Sequence, residues 1–373
     1  MSESQPFKNF YGVELAENLA ERISAIHAAF PAVPFVAQVA AGVGPLELKG
    51  RIALISAALR QHLPADYPTA LAILLNILGP PLASDEGMFN HGYHLGPVAY
   101  FVEAYGLAHP NESLAAIHAI TQRYTGEFAI RPFLVQHPEQ TLAALQRWVH
   151  DESFHVRRMV SEGSRTRLPW ASRLPAFVAD PTPVLALLEQ LRDDPSLYVR
   201  KSVANNLNDI AKDHPELVLA TLARWSEGAP EERRWLIKHA LRVLVKQGHP
   251  EALRLVGAGA AQVQLVALQV EPPQLAIGDT LTITCVLANE TNAAQPLVVD
   301  YIVHLAGPNG KLRPKVFKLK VLTLDSGASV TLSKRHSFKP VTIRRYYAGR
   351  HRVEIQVNGA VLGGAEVELS IES

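Results

Sequence analysis

The sequence predicts two successive architectures in one chain, an all-α helical-repeat solenoid over residues 1–259 and an all-β sandwich over residues 264–373. Three observations predict it. One helix-starting pattern recurs four times between Pro110 and about Gly248. After about Gly259 the apolar spacing turns from helical to alternating. A length of 373 residues allows two domains, each burying its own core without metal or disulfide support.

In chain order, the first ~105 residues read as helices that cap and extend the stack: "GRIALISAALRQHL", "TALAILLNILG" and "PVAYFVEAYGLA", with ends blurred by glycine and proline. The start, "MSESQPFKNFYGVELAEN", lacks the basic and apolar regions of a signal peptide. No run reaches the ~18 apolar residues of a membrane span, so no membrane association is expected. The one cysteine, Cys285, forms no internal disulfide and reads as a small core residue; the reducing cytoplasm is the expected compartment.

The four repeat starts are "HPNESLAAIHAITQRY" from His109, "HPEQTLAALQRWVHDES" from His137, "DPTPVLALLEQLRDDPS" from Asp180 and "HPELVLATLARWSEGAP" from His214. Each places proline in the first helical turn and apolar residues at three- and four-residue spacing. Each leads into a second helix: "FAIRPFLV", "FHVRRMVSEG", "LYVRKSVANNLNDIAK" and "WLIKHALRVLVKQG". Stacked hairpins of this kind are HEAT-like. A branched aliphatic followed by a cation recurs in the second helices, as Ile130-Arg131, Val156-Arg157, Val199-Arg200 and Ile237-Lys238. Equivalent positions align across a solenoid, so these cations are expected to form either a basic wall on one surface or the glue between repeats.

Beyond the linker-like "GAGAAQ", seven strand-length segments rich in valine, threonine and isoleucine alternate with Gly, Asn, Asp and Pro turns, as an immunoglobulin-like sandwich does. The Cys–Trp–Cys signature of antibody domains is missing. Alternation puts Lys318 and Lys320 on one face and Phe317 and Leu319 on the other. The formal net charge is +1, yet residues 1–110 carry five Lys/Arg against nine Asp/Glu, while residues 311–352 carry twelve against Asp325 alone. This asymmetry fits a polyanionic partner approached from one side, or a solvated basic face.

The stretch "DESFHVRRMVSEGSRTRLPW" (151–170) sets Glu162 and Trp170 among Arg157, Arg158, Arg165 and Arg167. Arg158 and Glu162 are four apart on one helix face, as are Lys201, Asn205 and Asp209, and Arg123, Glu127 and Arg131 form a third set. Superposing the repeats on their valine-arginine pairs levels Glu162 with Asn205 and sets Asp209 one turn further, so three acids are expected to meet inside a cationic wall. Gly163 reads as a helix stop. Glu162 would then face the negative end of its helix dipole, a poor place for a carboxylate unless something else is wanted of it.

"HVRRMVSEGSRTRLPWA", with "YTGEFAIRPFL" and "DPSLYVRKSVANNLNDIAKDHPE", resembles the AlkC group of HEAT-like-repeat alkylation-repair DNA glycosylases, in the subgroup with a C-terminal immunoglobulin-like domain. The resemblance implies excision of small cationic methylated bases (3-methyladenine, 3-methylcytosine, 1-methyladenine) from duplex DNA without deep base flipping. It implies Glu162, Asp209 and Glu127 as catalytic acids and Trp170 as the aromatic wall. A ring-methylated base leaves neutral, so catalysis lies in steadying the oxocarbenium-like sugar. A carboxylate can do this, and another can orient water; Glu162 is expected in the first part and Asp209 in the second, with the reverse assignment open. The tryptophan face favours a cationic base.

The DNA-holding residues expected are Arg157, Arg158, Arg165, Arg167, Arg200, Lys201, Asn205 and Lys238, with Arg344, Arg345 and Arg350 on the sandwich. The related AlkD group has an arginine near Asn208 that is missing here, so its mechanism is not carried over. No cofactor is expected: there is no phosphate-binding glycine loop, and His91, His94, His150 and His155 lack a third ligand at zinc spacing. A monomer acting on alkylated double-stranded DNA is expected; the rival is a non-catalytic HEAT scaffold that binds protein or nucleic acid.

Overall fold

The computed structural model describes residues 6–85, 92–341 and 345–370. The chain divides into two compact units, Met1–Asp213 and His214–Ser373.

The first unit is helical. Its opening helices are α1 (Val13–Ile26), α2 (Ala32–Gly42), α3 (Leu48–His62), α4 (Tyr67–Leu75) and α5 (Gly96–Tyr105). The repeats follow as α6 (Pro110–Thr121) with α7 (Ile130–Gln136), α8 (Pro138–Trp148) with α9 (Phe154–Gly163), the short α10 (Pro175–Ala179), then α11 (Thr182–Leu191) with α12 (Leu197–Ile210). His109 and His137 cap α6 and α8 with nearly the same backbone angles, φ −131° and −132°. The recurring His-Pro is therefore one local structure used twice in this unit. Proline suits the first turn because its missing N–H would have no intrahelical acceptor there.

The second helices bury the stripe their spacing predicts, Val156, Met159 and Val160 on α9 and Val199, Val203 and Leu207 on α12. Each such side chain, fully removed from water, stabilises by about 1.5–3 kcal/mol. α9 and α12 pack directly on one another, which sets the polar residues of these two helices face to face.

The second unit begins with α13 (Pro215–Ser226), α14 (Glu231–Ala240), α15 (Arg242–Lys246) and α16 (Pro250–Leu255) and passes to strands at β1 (Gln264–Glu271). The change from helix to strand thus falls between Leu255 and Gln264. The other strands are β2 (Gln274–Ala276), β3 (Thr280–Ala288), β4 (Gln295–Ala306), β5 (Leu312–Leu324), β6 (Ser329–Ser337), β7 (Gly349–Val357) and β8 (Ala360–Ser370). They form sheets ordered β1-β3-β6 and β2-β8-β7-β4-β5, antiparallel except for β2 on β8. The described residues therefore hold eight strands where seven were expected: β2 is three residues long, too short to show alternation.

Leu281, Ile283, Cys285 and Leu287 of β3 alternate inward to meet Tyr301, Val303, Val353 and Ile355. Phe317 and Leu319 pack on this core, while Lys318 and Lys320 point outward, as alternation predicts. The helices of this unit reach the sandwich where Gln356 Nε2 donates to the Lys246 carbonyl at 3.2 Å. Nearby, Gly248 and Gly359 are so close that a Cβ on Gly359 would lie 2.5 Å from the Gly248 Cα.

Candidate nucleic-acid interface and carboxylate cluster

The two repeats built on α9 and α12 share a short motif ahead of each second helix. Asp151 Oδ1 accepts the Ser153 N–H at 2.8 Å, and Asp194 Oδ1 accepts the Ser196 N–H at 2.9 Å. Four residues past each serine stands the arginine of the valine-arginine pair, and it turns back on the same loop. Arg157 Nη1 donates to the carbonyls of Asp151 and Glu152, and Arg200 Nη1 to those of Asp194 and Pro195. Arg157 also grips Asp194 of the next repeat through Nε at 2.6 Å and Nη2 at 3.1 Å.

Of the two expectations for these cations, the glue holds for three and the wall does not. Arg157 donates through Nε, Nη1 and Nη2 and Arg200 through Nη1 to protein acceptors, and Arg131 is 5% exposed. These three form the glue, because a guanidinium so desolvated needs its partners inside the fold. Lys238 of the second unit is exposed.

Glu162 and Asp209 occupy the seam between α9 and α12. Arg165 donates through Nη1 to Glu162 Oε1 at 2.6 Å and through Nε to Asp209 Oδ2 at 2.8 Å. Arg158 pairs with Glu127 and lies 3.7 Å from Glu162. An ion-pair chain results, running Glu127, Arg158, Glu162, Arg165, Asp209, and it ends where Lys212 Nζ meets Asp209 Oδ1 at 2.8 Å. Glu162 and Asp209 therefore share one guanidinium, as the sequence expectation of meeting acids requires. Tyr198 lies beneath Arg158, the guanidinium carbon 5.1 Å from the ring centre.

The structure sharpens the sequence reading. Ser202 of α12 faces Glu162, donating its hydroxyl to Oε2 at 2.6 Å; Asn205 is half-buried on the same helix. Glu127 lies in the turn before α7 rather than on a helix face with Arg123 and Arg131, and Thr125 Oγ1 donates to its Oε2 at 2.5 Å. The helix does end at Gly163, as expected, though without a left-handed turn. A Cβ on Gly163 would meet Ile130 Cγ2 at 2.5 Å, so it is glycine for the close approach of α9 to α7.

Burial would raise the Glu162 carboxyl, but Arg158, Arg165 and the Ser202 hydroxyl outweigh it and hold the group below the ordinary carboxylate value. Burial would likewise lower Arg158 and Arg165; the acids beside them hold both above the ordinary value. Arg131 is pushed down to about 10, by burial and then by Arg165, and is still charged at neutral pH. Glu162 and the two arginines beside it are thus held in their ionised forms.

Trp170 stands at the edge of this cluster's loop and is 77% exposed. Its φ is 64°, the left-handed region, which costs an ordinary side chain about 1–2 kcal/mol. Leu168 and Leu174, each 4% exposed, anchor the loop on either side. Arg167 pairs with Asp213 at 2.5 Å and Lys201 is exposed. On the sandwich Arg345 is exposed beside the Tyr347 ring, Arg350 is exposed and only loosely set against Glu366 at 3.6 Å, and Arg344 lies outside the described residues, as does His91.

Sequence reasoning missed Ser202, Thr125, Tyr198 and Lys212. A signal for the first existed: Ser202, Asn206 and Asp209 recur at i, i+4 and i+7 on α12, a polar stripe along one face of the helix. Asn206 uses it as well, donating to the Ser161 carbonyl at 2.7 Å.

Residues 126–244 match the family model of DNA alkylation repair enzymes, and residues 264–371 match that of the C-terminal Ig-like domain of uncharacterised protein YhaZ. Uncharacterized protein YhaZ of Bacillus subtilis (strain 168) is 37% identical over 356 residues, covering 95% of this chain and 96% of that protein. Among solved structures, the Pseudomonas fluorescens alkylpurine DNA glycosylase AlkC, bound to DNA containing an abasic site analog, is 39% identical. It superposes with a TM-score of 0.92 over 98% of this chain and 100% of its own.

Proposed function

The chain belongs to the DNA alkylation repair enzyme family, in the branch with a YhaZ-type C-terminal Ig-like domain, and from that premise we propose that it is a DNA glycosylase that excises alkylated bases from duplex DNA. Its substrates in this reading are small cationic bases, 3-methyladenine, 3-methylcytosine and 1-methyladenine. They are cleaved hydrolytically, without deep flipping, by a cytoplasmic monomer that needs no cofactor. The observation that carries the reading is the ion-pair chain that joins Glu127, Glu162 and Asp209 through Arg158 and Arg165, with the exposed Trp170 on the loop that follows.

The roles follow from how firmly each carboxylate is held. Both Glu162 oxygens are taken by groups inside the fold, Arg165 on Oε1 and Ser202 on Oε2. A charge so fixed needs no reorganisation when positive character builds on the sugar, which suits Glu162 to electrostatic stabilisation. Asp209 Oδ1 instead faces Lys212, whose side chain is 41% exposed and free to yield its place to water. Asp209 is therefore the group that orients the attacking water. Glu127 seats Arg158, and Trp170 borders the lesion, its face favouring a cation by up to ~2 kcal/mol when desolvated.

The test is incubation of purified protein with methylated duplex DNA and identification of the released bases, repeated at single turnover with Glu162→Gln. A loss of about a hundredfold or more is expected, the scale for removing one preorganised electrostatic group. Release within about threefold of wild type, less than a kcal/mol in the barrier, would take Glu162 out of the chemistry.

A further inference from the structure

Trp170 is a bulky residue in a left-handed conformation, exposed, on a loop, and such a residue stays in place only if its surroundings over-determine it. Two cations from earlier helices do so. Arg131 of α7 donates through Nη1 to the carbonyls of Gly163 and Arg165, both at 2.8 Å, and through Nη2 to that of Ser172 at 2.6 Å. Both ends of the loop are thereby tied to one buried guanidinium. Between them, Lys49 of α3 donates its ammonium to the carbonyl of Trp170 itself. The same ammonium lies 5.9 Å from the centre of the Phe128 ring, next to Glu127.

We infer that Lys49 is a positioning residue: with Arg131 it fixes the 163–172 loop so that Trp170 projects from the cluster in one orientation. The inference rests on the proposed glycosylase reading, since it gives Lys49 its effect through Trp170. Lys49 contributes in this way although it lies 121 residues earlier in the chain and outside every motif that marks the site. Half-buried Glu103 of α5 feels both cations: burial pushes its carboxyl up, and the charges of Lys49 and Arg131 offset part of that rise. An exposed lysine on a backbone carbonyl is a hold that can be removed without touching the core, whereas Arg131 is 5% exposed and its loss would endanger folding.

The experiment therefore uses the full chain with Lys49→Met, Lys49→Arg, Trp170→Ala and the double variant Lys49→Met/Trp170→Ala. Limited trypsin digestion reads the loop directly, through cleavage after Arg165, Arg167 and Arg173. Faster cleavage in K49M than in wild type is expected, with K49R near wild type. Single-turnover release of 3-methyladenine reads the consequence. K49M is expected to lose roughly tenfold, and the double variant to be no slower than W170A alone, because two changes acting through one side chain do not add. Additive losses, or a K49M loop cut no faster than wild type, would overturn the inference. Were W170A to release base at the wild-type rate, the functional reading of Trp170 would fall, and the trypsin arm alone would decide whether Lys49 fixes the loop.

Discussion

Ser202 and Glu162 sit forty residues apart in sequence, on different helices, with the serine hydroxyl 2.6 Å from the carboxylate oxygen it donates to. Together they fix a buried negative charge between two packed helices, and several consequences can be measured.

The first concerns pH. Glu162 is held below the ordinary carboxylate value against its own burial, by Arg158 and Arg165 and then by Ser202. A carboxyl whose folded value is depressed contributes stability that is complete above its unfolded value and is lost as pH falls through the folded one. Ser202→Ala is expected to move that acid loss to higher pH. At neutral pH it should lower stability by about 1.5–3 kcal/mol, the range for a hydrogen bond to a charged group. Thermal melts across pH 2–7 check this; an unchanged acid midpoint would mean that Ser202 has no hold on the carboxylate.

Arg157 is expected to matter for folding rather than for DNA. It and Asp194 are a largely buried pair, their side chains 14% and 3% exposed, and removing one partner of such a pair costs about 3–5 kcal/mol. Arg157→Met should show that loss in denaturant unfolding and leave the salt dependence of DNA binding as in wild type. A flatter salt dependence in the variant would return Arg157 to the DNA-contacting set.

The exposed cations should behave in the opposite way. Lys201→Ala, Arg345→Ala and Arg350→Ala are expected to leave the melting temperature nearly unchanged. For each cation that neutralises a phosphate, its removal should reduce the slope of log K against log salt by about 0.9. Titrations of duplex DNA at several salt concentrations give the slope, and a variant that leaves it unaltered identifies a cation that only faces solvent.

Gly163 offers a test of packing. Gly163→Ala places a methyl 2.5 Å from Ile130 Cγ2, which forces α9 and α7 apart. Overpacking of this kind costs about 1–3 kcal/mol. Adding Ile130→Ala removes the clashing methyl, so the alanine at 163 should cost less in that background. Equal costs in both backgrounds would show that the glycine serves its backbone freedom instead.

Much of the architecture was legible because it is written in local spacing. His-Pro starts fix helix beginnings, three- and four-residue spacing fixes which faces are buried, and the switch to alternation fixes where strands begin, since these depend on neighbours within a few residues. β2 escaped because three residues hold too little of a period-two pattern. The acids were legible too, Glu162 and Asp209 through their motifs. What each arginine does was not: Arg157 and Arg158 are adjacent in sequence, yet one hooks its own loop and Asp194 while the other bridges Glu127 and Glu162.

By itself, the amino-acid order determined that this protein has repeated helical hairpins followed by a β sandwich, with carboxylates, arginines and a tryptophan gathered on two neighbouring repeats. Only the tertiary structure decided which cation holds which acid, that Ser202 faces Glu162, and that Lys49 reaches Trp170. The reason is one of range. Secondary structure follows from torsional preference and burial over one or two turns, whereas the partner of a buried charge is whichever side chain a distant helix brings within about 3 Å, where desolvation makes the pairing obligatory.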